Sequence, residues 1–220
     1  MLQYNHEYVM GRNDRTGSYM FVDGASLVQA AEAFVAEHIG PDIRPEIAFQ
    51  RMADWYEKVF YYDAVPVTNE SSPDSDKSKA ETSRALLSAI DGMPKYHVFE
   101  GEARRRRGKG LEQKQVDVRI AVDMMTHAFR RNMRICSLVT GDSDFIPLVE
   151  ALVREGIFVE IHYPLGCTSE RLLRSASSRL PLDKERFYYL LANNFKTEHG
   201  VTIESLGLPE RKLRGVYIQQ

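Results

Sequence analysis

Four aspartates stand out by type and setting: Asp23, Asp117, Asp142 and Asp144. Asp23 follows the apolar run Met20-Phe21-Val22 and precedes Gly24, a position where a carboxylate gains little unless it serves a ligand or a backbone turn. Asp142 and Asp144 flank Ser143 just after the apolar segment 135–139, and Asp117 opens a helical pattern. Asp63, near the end of another apolar segment, is a weaker fifth candidate. Converging carboxylates without His or Cys suit a hard dication, Mg²⁺ or Mn²⁺, which prefers oxygen ligands and water. Such a cation activates water and neutralises phosphate charge, so the expected chemistry is phosphoryl hydrolysis. Each residue also has a structural reading. Asp142, Ser143 and Asp144 precede a helix and can cap it, while Asp117 suits a helix N-terminus electrostatically.

Other chemistries recede. The histidines show no paired ligand spacing, Cys136 sits in an apolar run that reads as inert core, and no Gly-rich phosphate loop ending in Lys-Ser/Thr occurs. Cys136 and Cys167 are too few for a disulfide framework and fit a reducing compartment. Residues 1–17 carry Arg12, Asp14 and Arg15 where a signal peptide needs an apolar stretch, and no run approaches membrane-spanning length. The expectation is a cytoplasmic protein without a membrane partner. With 29 Lys and Arg against 31 Asp and Glu, the chain cannot hold nucleic acid by bulk positive charge. A local patch is allowed, and Arg104, Arg105, Arg106, Arg107 and Lys109 supply one within residues 101–110. The glycines of that segment argue against a helix, so it reads as a flexible basic loop: either a solvated surface feature or a mobile flap that gathers a polyanion.

These residues need elements to position them. Residues 19–23, 58–65, 96–99, 135–139 and 157–161 read as strands. Helical periodicity follows Ser26, covers 80–90, runs from about 114 to 131, follows the segment 140–144, and returns over roughly 169–178. Residues 66–79 are polar and read as a mobile loop. Alternation of strand and helix is the signature of a mostly parallel sheet flanked by helices, an α/β three-layer fold. In such a sheet the strand C-termini share one edge, where ligands gather, and Asp23, Asp142 and Asp144 fall there. The organisation expected is a tail over 1–17, a domain over 18–181 and an extension over 182–220. Phe187, Tyr188 and Tyr189 in that extension suit core or interface, and a homo-oligomer through it is one expectation.

Three segments in order, residues 21–27, 114–123 and 138–149, together resemble the NYN domain family, especially its LabA-like branch. The third, with Gly141-Asp142-Ser143-Asp144-Phe145 followed by Pro147-Leu148-Val149, is the most specific. The likeness covers about residues 19–180. It implies a PIN-like, Rossmannoid fold and a metal-dependent ribonuclease site at Asp23, Asp117, Asp142 and Asp144, with RNA, single-stranded by preference, as the partner. Two departures are visible. The family's first motif usually carries Asn where this chain has Ser26, and its last helix often carries an acid where Ser177 and Ser178 stand. The expected function is an endoribonuclease in which Ser26 and Ser143 support the aspartates. Two alternatives stay open: a non-catalytic RNA-binding or regulatory module, and a metal-dependent DNA nuclease or phosphatase.

Overall fold

The computed structural model describes residues 17–106 and 110–209. Seven strands form one sheet: β1 (Ser18–Asp23), β2 (Lys58–Pro66), β3 (Tyr96–Arg106), β4 (Gly110–Lys114), β5 (Ile135–Val139), β6 (Phe158–Pro164) and β7 (Ser178–Leu182). Their order is β4-β3-β2-β1-β5-β6-β7. Every neighbouring pair is parallel except β3 with β4, which is antiparallel. The central strand β1 is buried along its whole length because it has a parallel neighbour on each side and helices above and below.

Alternation along β1 divides the interior in two. Met20 and Val22 face a core with residues of α1 (Gly24–His38), α2 (Phe49–Met52), α3 (Asp74–Asp91), α7 (Lys184–Leu190) and α8 (Asn193–Glu198). Tyr19 and Phe21 face the opposite core, filled from α4 (Val116–Phe129), α5 (Ile146–Arg154) and α6 (Glu170–Ser175). The α/β three-layer expectation holds. From β1 the chain works outward through β2 and β3, and α4 then brings it back to β5 beside β1. Connections leave β1 and β5 in opposite directions, so a crevice opens between their C-terminal ends.

Several boundaries differ from the sequence reading. The segment 66–79 is not loop throughout, since α3 begins at Asp74, with Asp74 and Asp76 in its first turn and Ala80 buried. The helix expected over 169–178 stops at Ser175, and β7 follows as an edge strand, where Pro181 is tolerated. The basic segment is not a flexible loop as far as Arg106. β3 continues to that residue and turns into a hairpin with β4. Gly101 and Ala103 are buried on its inner face, a period-2 pattern that their small size conceals from a hydrophobicity reading. Arg107 and Lys109 lie outside the described residues, as do the side chains of Arg105 and Arg106 and the basic stretch 211–214.

The segment after β7 folds back onto the first core. Phe187, Leu190, Leu191, Phe195, Val201 and Leu206 are all buried there, while Tyr188 and Tyr189 pack against its edge. Arg51 stitches it down through hydrogen bonds from its guanidinium to the carbonyls of Tyr189 and Leu191 and to Asn193 Oδ1. Ala48 and Ala192 add backbone bonds of 2.7 and 2.8 Å to Leu190 and Glu46. Among the described residues, no helix is long and apolar enough to cross a membrane.

Candidate functional site: carboxylates at the β1–β5 crevice

Asp23 ends β1 and caps α1. Its Oδ1 accepts from the Ser26 amide at 3.2 Å, and its Oδ2 accepts from Ser26 Oγ at 2.7 Å and Thr140 Oγ1 at 3.1 Å. The carboxylate is thereby only 6% exposed. Thr140, fully buried just after β5, accepts from the Asp142 amide at 3.1 Å through the same hydroxyl. One side chain therefore ties the end of β1 to the loop that carries Asp142 and Asp144. Asp142 Oδ1 in turn accepts from the Asp144 amide at 2.8 Å and starts the short 3₁₀ turn Ser143–Phe145. Asp23 and Asp142 are both caps and candidate ligands, so the two readings are compatible.

Gly24 lets the crevice close this tightly. A Cβ at that position would lie 2.7 Å from Tyr61 Oη and 2.8 Å from the Tyr62 carbonyl, so α1 can start directly against β2 only with glycine there. Tyr61 Oη is buried with no hydrogen-bond partner among the described residues. Burial holds the Tyr61 phenol well above its ordinary range, and the charges of Asp63 and Asp23 add to it.

Asp117 lies in the first turn of α4, which begins where β4 returns to the carboxyl edge. Its carboxyl is pushed up, first by the protein packed around it and then by the negative charges of Asp23, Asp142 and Asp144. Asp117 thus feels the charges of the other three aspartates of the sequence reading. Asp63, at the end of β2, is pushed up to about 6, mainly by burial; the Ala64 amide, donating to Oδ1 at 2.7 Å, opposes this and Asp23 adds to it. Ser26 is turned toward Asp23, whereas Ser143 and Asp144 are exposed.

The donor set is all oxygen, which fits a hard dication. Among the described residues no group of three or more His, Cys, Asp or Glu side chains surrounds a single ion position. The fit is to a hydrated cation held by one or two carboxylates and by water, the mode Mg²⁺ favours because it dehydrates reluctantly.

The sequence reading missed Thr140 and Tyr61 as parts of this site. Thr140 was legible in principle, standing first after β5 at the crevice, but Tyr61 carried no signal beyond its place in an apolar strand. Asp123, within the segment 114–123, is committed elsewhere: it accepts from Arg119 Nε at 2.9 Å and Tyr62 Oη at 3.0 Å. Arg104 is engaged locally, its Nε donating to Glu102 Oε2 at 2.9 Å.

A comparison with curated proteins finds no match. The solved structure of VPA0982 from Vibrio parahaemolyticus RIMD 2210633, a protein of unknown function, is similar, with a TM-score of 0.52 at 19% identity, covering 83% of this chain and 100% of that one. That likeness concerns the fold alone. The NYN domain family matches residues 20–183, from β1 through the end of β7 and so across every aspartate of the crevice: the chain belongs to the NYN domain family.

Proposed function

We propose that this protein is a metal-dependent endoribonuclease of the LabA-like branch that hydrolyses phosphodiester bonds of single-stranded RNA at the β1–β5 crevice. The family supports the reaction class, since NYN domains are PIN-like and are generally assigned as ribonucleases. The observation that carries the reading is geometric: Thr140 ties Asp23 at the end of β1 to the loop of Asp142 and Asp144, and the Asp117 carboxyl, raised first by burial, also feels the charges of those three. Carboxylates gathered at a strand edge repel one another, and that repulsion is relieved by a cation.

When bound, Mg²⁺ or Mn²⁺ supplies charge neutralisation at the phosphate and activation of water. The chain's own residues do the rest. Asp142 and Asp117 would hold such a cation, with Asp144 supporting them. Asp23, clamped by Ser26 and Thr140, holds a fixed negative charge at the base of the crevice. Ser26 serves as a positioning residue for Asp23, which is how a chain lacking the family's usual Asn can keep its first carboxylate oriented.

The β3–β4 hairpin gives the polyanion a counter-charge. In register, Asp23 lies level with Tyr62 and Phe99, so Arg104 to Arg106 stand five to seven residues further along β3. That is roughly 16–23 Å beyond Asp23 at the usual strand rise, with Asp117 lying between, since Lys114 pairs with Glu102 just before α4. An extended polyanion can engage the hairpin and Asp23 together, which favours polymer over small phosphate esters as substrate.

Parallel assays on single-stranded RNA, single-stranded DNA and a small aryl phosphate ester, each with Mn²⁺, Mg²⁺ or chelator, test the reading. Cleavage of RNA alone, lost on chelation, is expected. RNA binding without cleavage would make the protein a non-catalytic RNA-binding module, and turnover of DNA or of the ester would make it a nuclease or phosphatase of another kind.

A further inference from the structure

A cavity of about 560 Å³ opens beside the crevice, and Ser26 and Asp142 form part of its wall. Its volume lies in the range that encloses a small ligand. α1 makes one side through Gln29, Ala33 and Phe34, and the loop after β6 makes another through Pro164, Leu165 and Cys167. The remaining side comes from Leu182, Lys184 and Phe187. Lys184 and Phe187 lie beyond residue 183, where the family match ends, so the extension completes the cavity.

The lining has two characters. Phe34 and Phe187 stack at 4.8 Å and, being 7% and 4% exposed, form with Leu182 a fixed apolar floor. Gln29, Glu37 and Lys184 are exposed on the wall and Asp183 is half-buried beside Lys184, so the acids outnumber the single ammonium and the base, more than the phosphate, suits the cavity. An apolar floor takes the face of a flat ring, an amide at the rim pairs with ring-edge donors and acceptors, and an ammonium offsets a phosphate. We infer that this cavity is a nucleotide subsite: it receives the base of the RNA residue next to the phosphodiester held at Asp142 and so selects where the chain is cut. The inference rests on the ribonuclease reading. Contiguity through Asp142 carries it, because a phosphate at that carboxylate leaves its neighbouring nucleoside at the cavity mouth. The same placement assigns the extension a role in substrate choice.

Cys167 provides a reporter that needs no turnover. It is exposed on the cavity wall, whereas Cys136 is fully buried, so a thiol reagent reads the cavity alone. The experiment follows the rate of Cys167 modification by a disulfide reagent, with and without a short single-stranded RNA carrying phosphorothioate linkages. The same RNA sequence with ordinary linkages serves for cleavage assays. RNA should slow modification several-fold in the parent. Ala33→Trp, which fills the cavity from an exposed helix position, should abolish this protection and raise KM about tenfold, the scale of one lost base contact, with a smaller change in kcat. Lys184→Ala should weaken protection without altering the cavity's shape. If the parent cleaves RNA but Cys167 is not protected and Ala33→Trp keeps the parent KM, the subsite is wrong while the ribonuclease reading stands. If the parent neither binds nor cleaves RNA, that reading falls and the subsite falls with it.

Discussion

Thr140 fixes the two loops that carry the crevice carboxylates, because one hydroxyl donates to Asp23 and accepts from the Asp142 amide. Thr140→Val keeps the shape but leaves Asp23 with one donor fewer in a buried place. A loss of about 1–3 kcal/mol in stability, read by denaturant unfolding, is expected, together with roughly 10–100-fold lower cleavage, the range for removing an outer-shell partner of a metal site. Ser26→Ala should act in the same direction, and Ser26→Asn should preserve activity by offering an amide donor to Asp23. Asp63 behaves differently. Its folded pKa of about 6 lies above the ordinary 3.8, so the folded protein holds its proton more tightly than the unfolded chain does. The stabilising contribution is therefore complete below about pH 4 and is lost as pH rises through about 6. Asp63→Asn should raise stability at pH 8 by about 1–3 kcal/mol, and the gain should vanish below pH 4. A constant difference at all pH values would show that the carboxyl titrates normally. At this scale the aspartates were legible because each follows a strand or opens a helix. The clamp on Asp23 was not, since Thr140 and Asp23 are 117 residues apart and meet only because β5 lies beside β1.

Elements place these residues through close approach. α1 starts on β2 with no space for a Cβ at Gly24, so Gly24→Ala should cost about 1–3 kcal/mol through overpacking, measured as a lower unfolding midpoint. Tyr61→Phe removes a buried hydroxyl that lacks a partner among the described residues, and should be neutral or stabilising. The β3–β4 hairpin is the element the sequence reading got wrong, because Gly101 and Ala103 leave its inward face without large apolar side chains. β7 is hidden for a related reason: Ser178-Arg179-Leu180-Pro181-Leu182 carries a proline that only an edge strand accepts, and the helical pattern of 169–178 overlaps its first residue. Replacing Arg104, Arg105 and Arg106 with Ser should weaken RNA affinity and flatten its salt dependence while sparing the rate at saturating RNA. The Arg104–Glu102 contact at 2.8 Å is a surface pair of small energetic weight, so its loss should hardly alter folding stability.

For the whole molecule, the strand order creates the site. Alternation of strand and helix made the parallel sheet legible, and the β1–β5 crevice followed from topology, but the packing of the segment after β7 onto the first core did not. Aromatic residues such as Phe187 suit core and interface equally until the packing is seen. A chain ending at residue 183 would uncover the cluster around Phe34 and Val35, and should unfold at markedly lower denaturant than the parent or aggregate. The account depends most on the claim that the crevice aspartates hold a cation that RNA cleavage requires. The measurement that reaches it most directly follows end-labelled single-stranded RNA with parent, Asp23→Asn and Asp142→Asn proteins, each supplied with Mn²⁺ and then with excess chelator. Metal-dependent cleavage by the parent, nearly abolished in both variants while circular dichroism shows both folded, with a lower unfolding midpoint for Asp23→Asn because its clamp loses an acceptor, is the predicted result. Cleavage that survives chelation, or that persists at the parent rate in both folded variants, would contradict it.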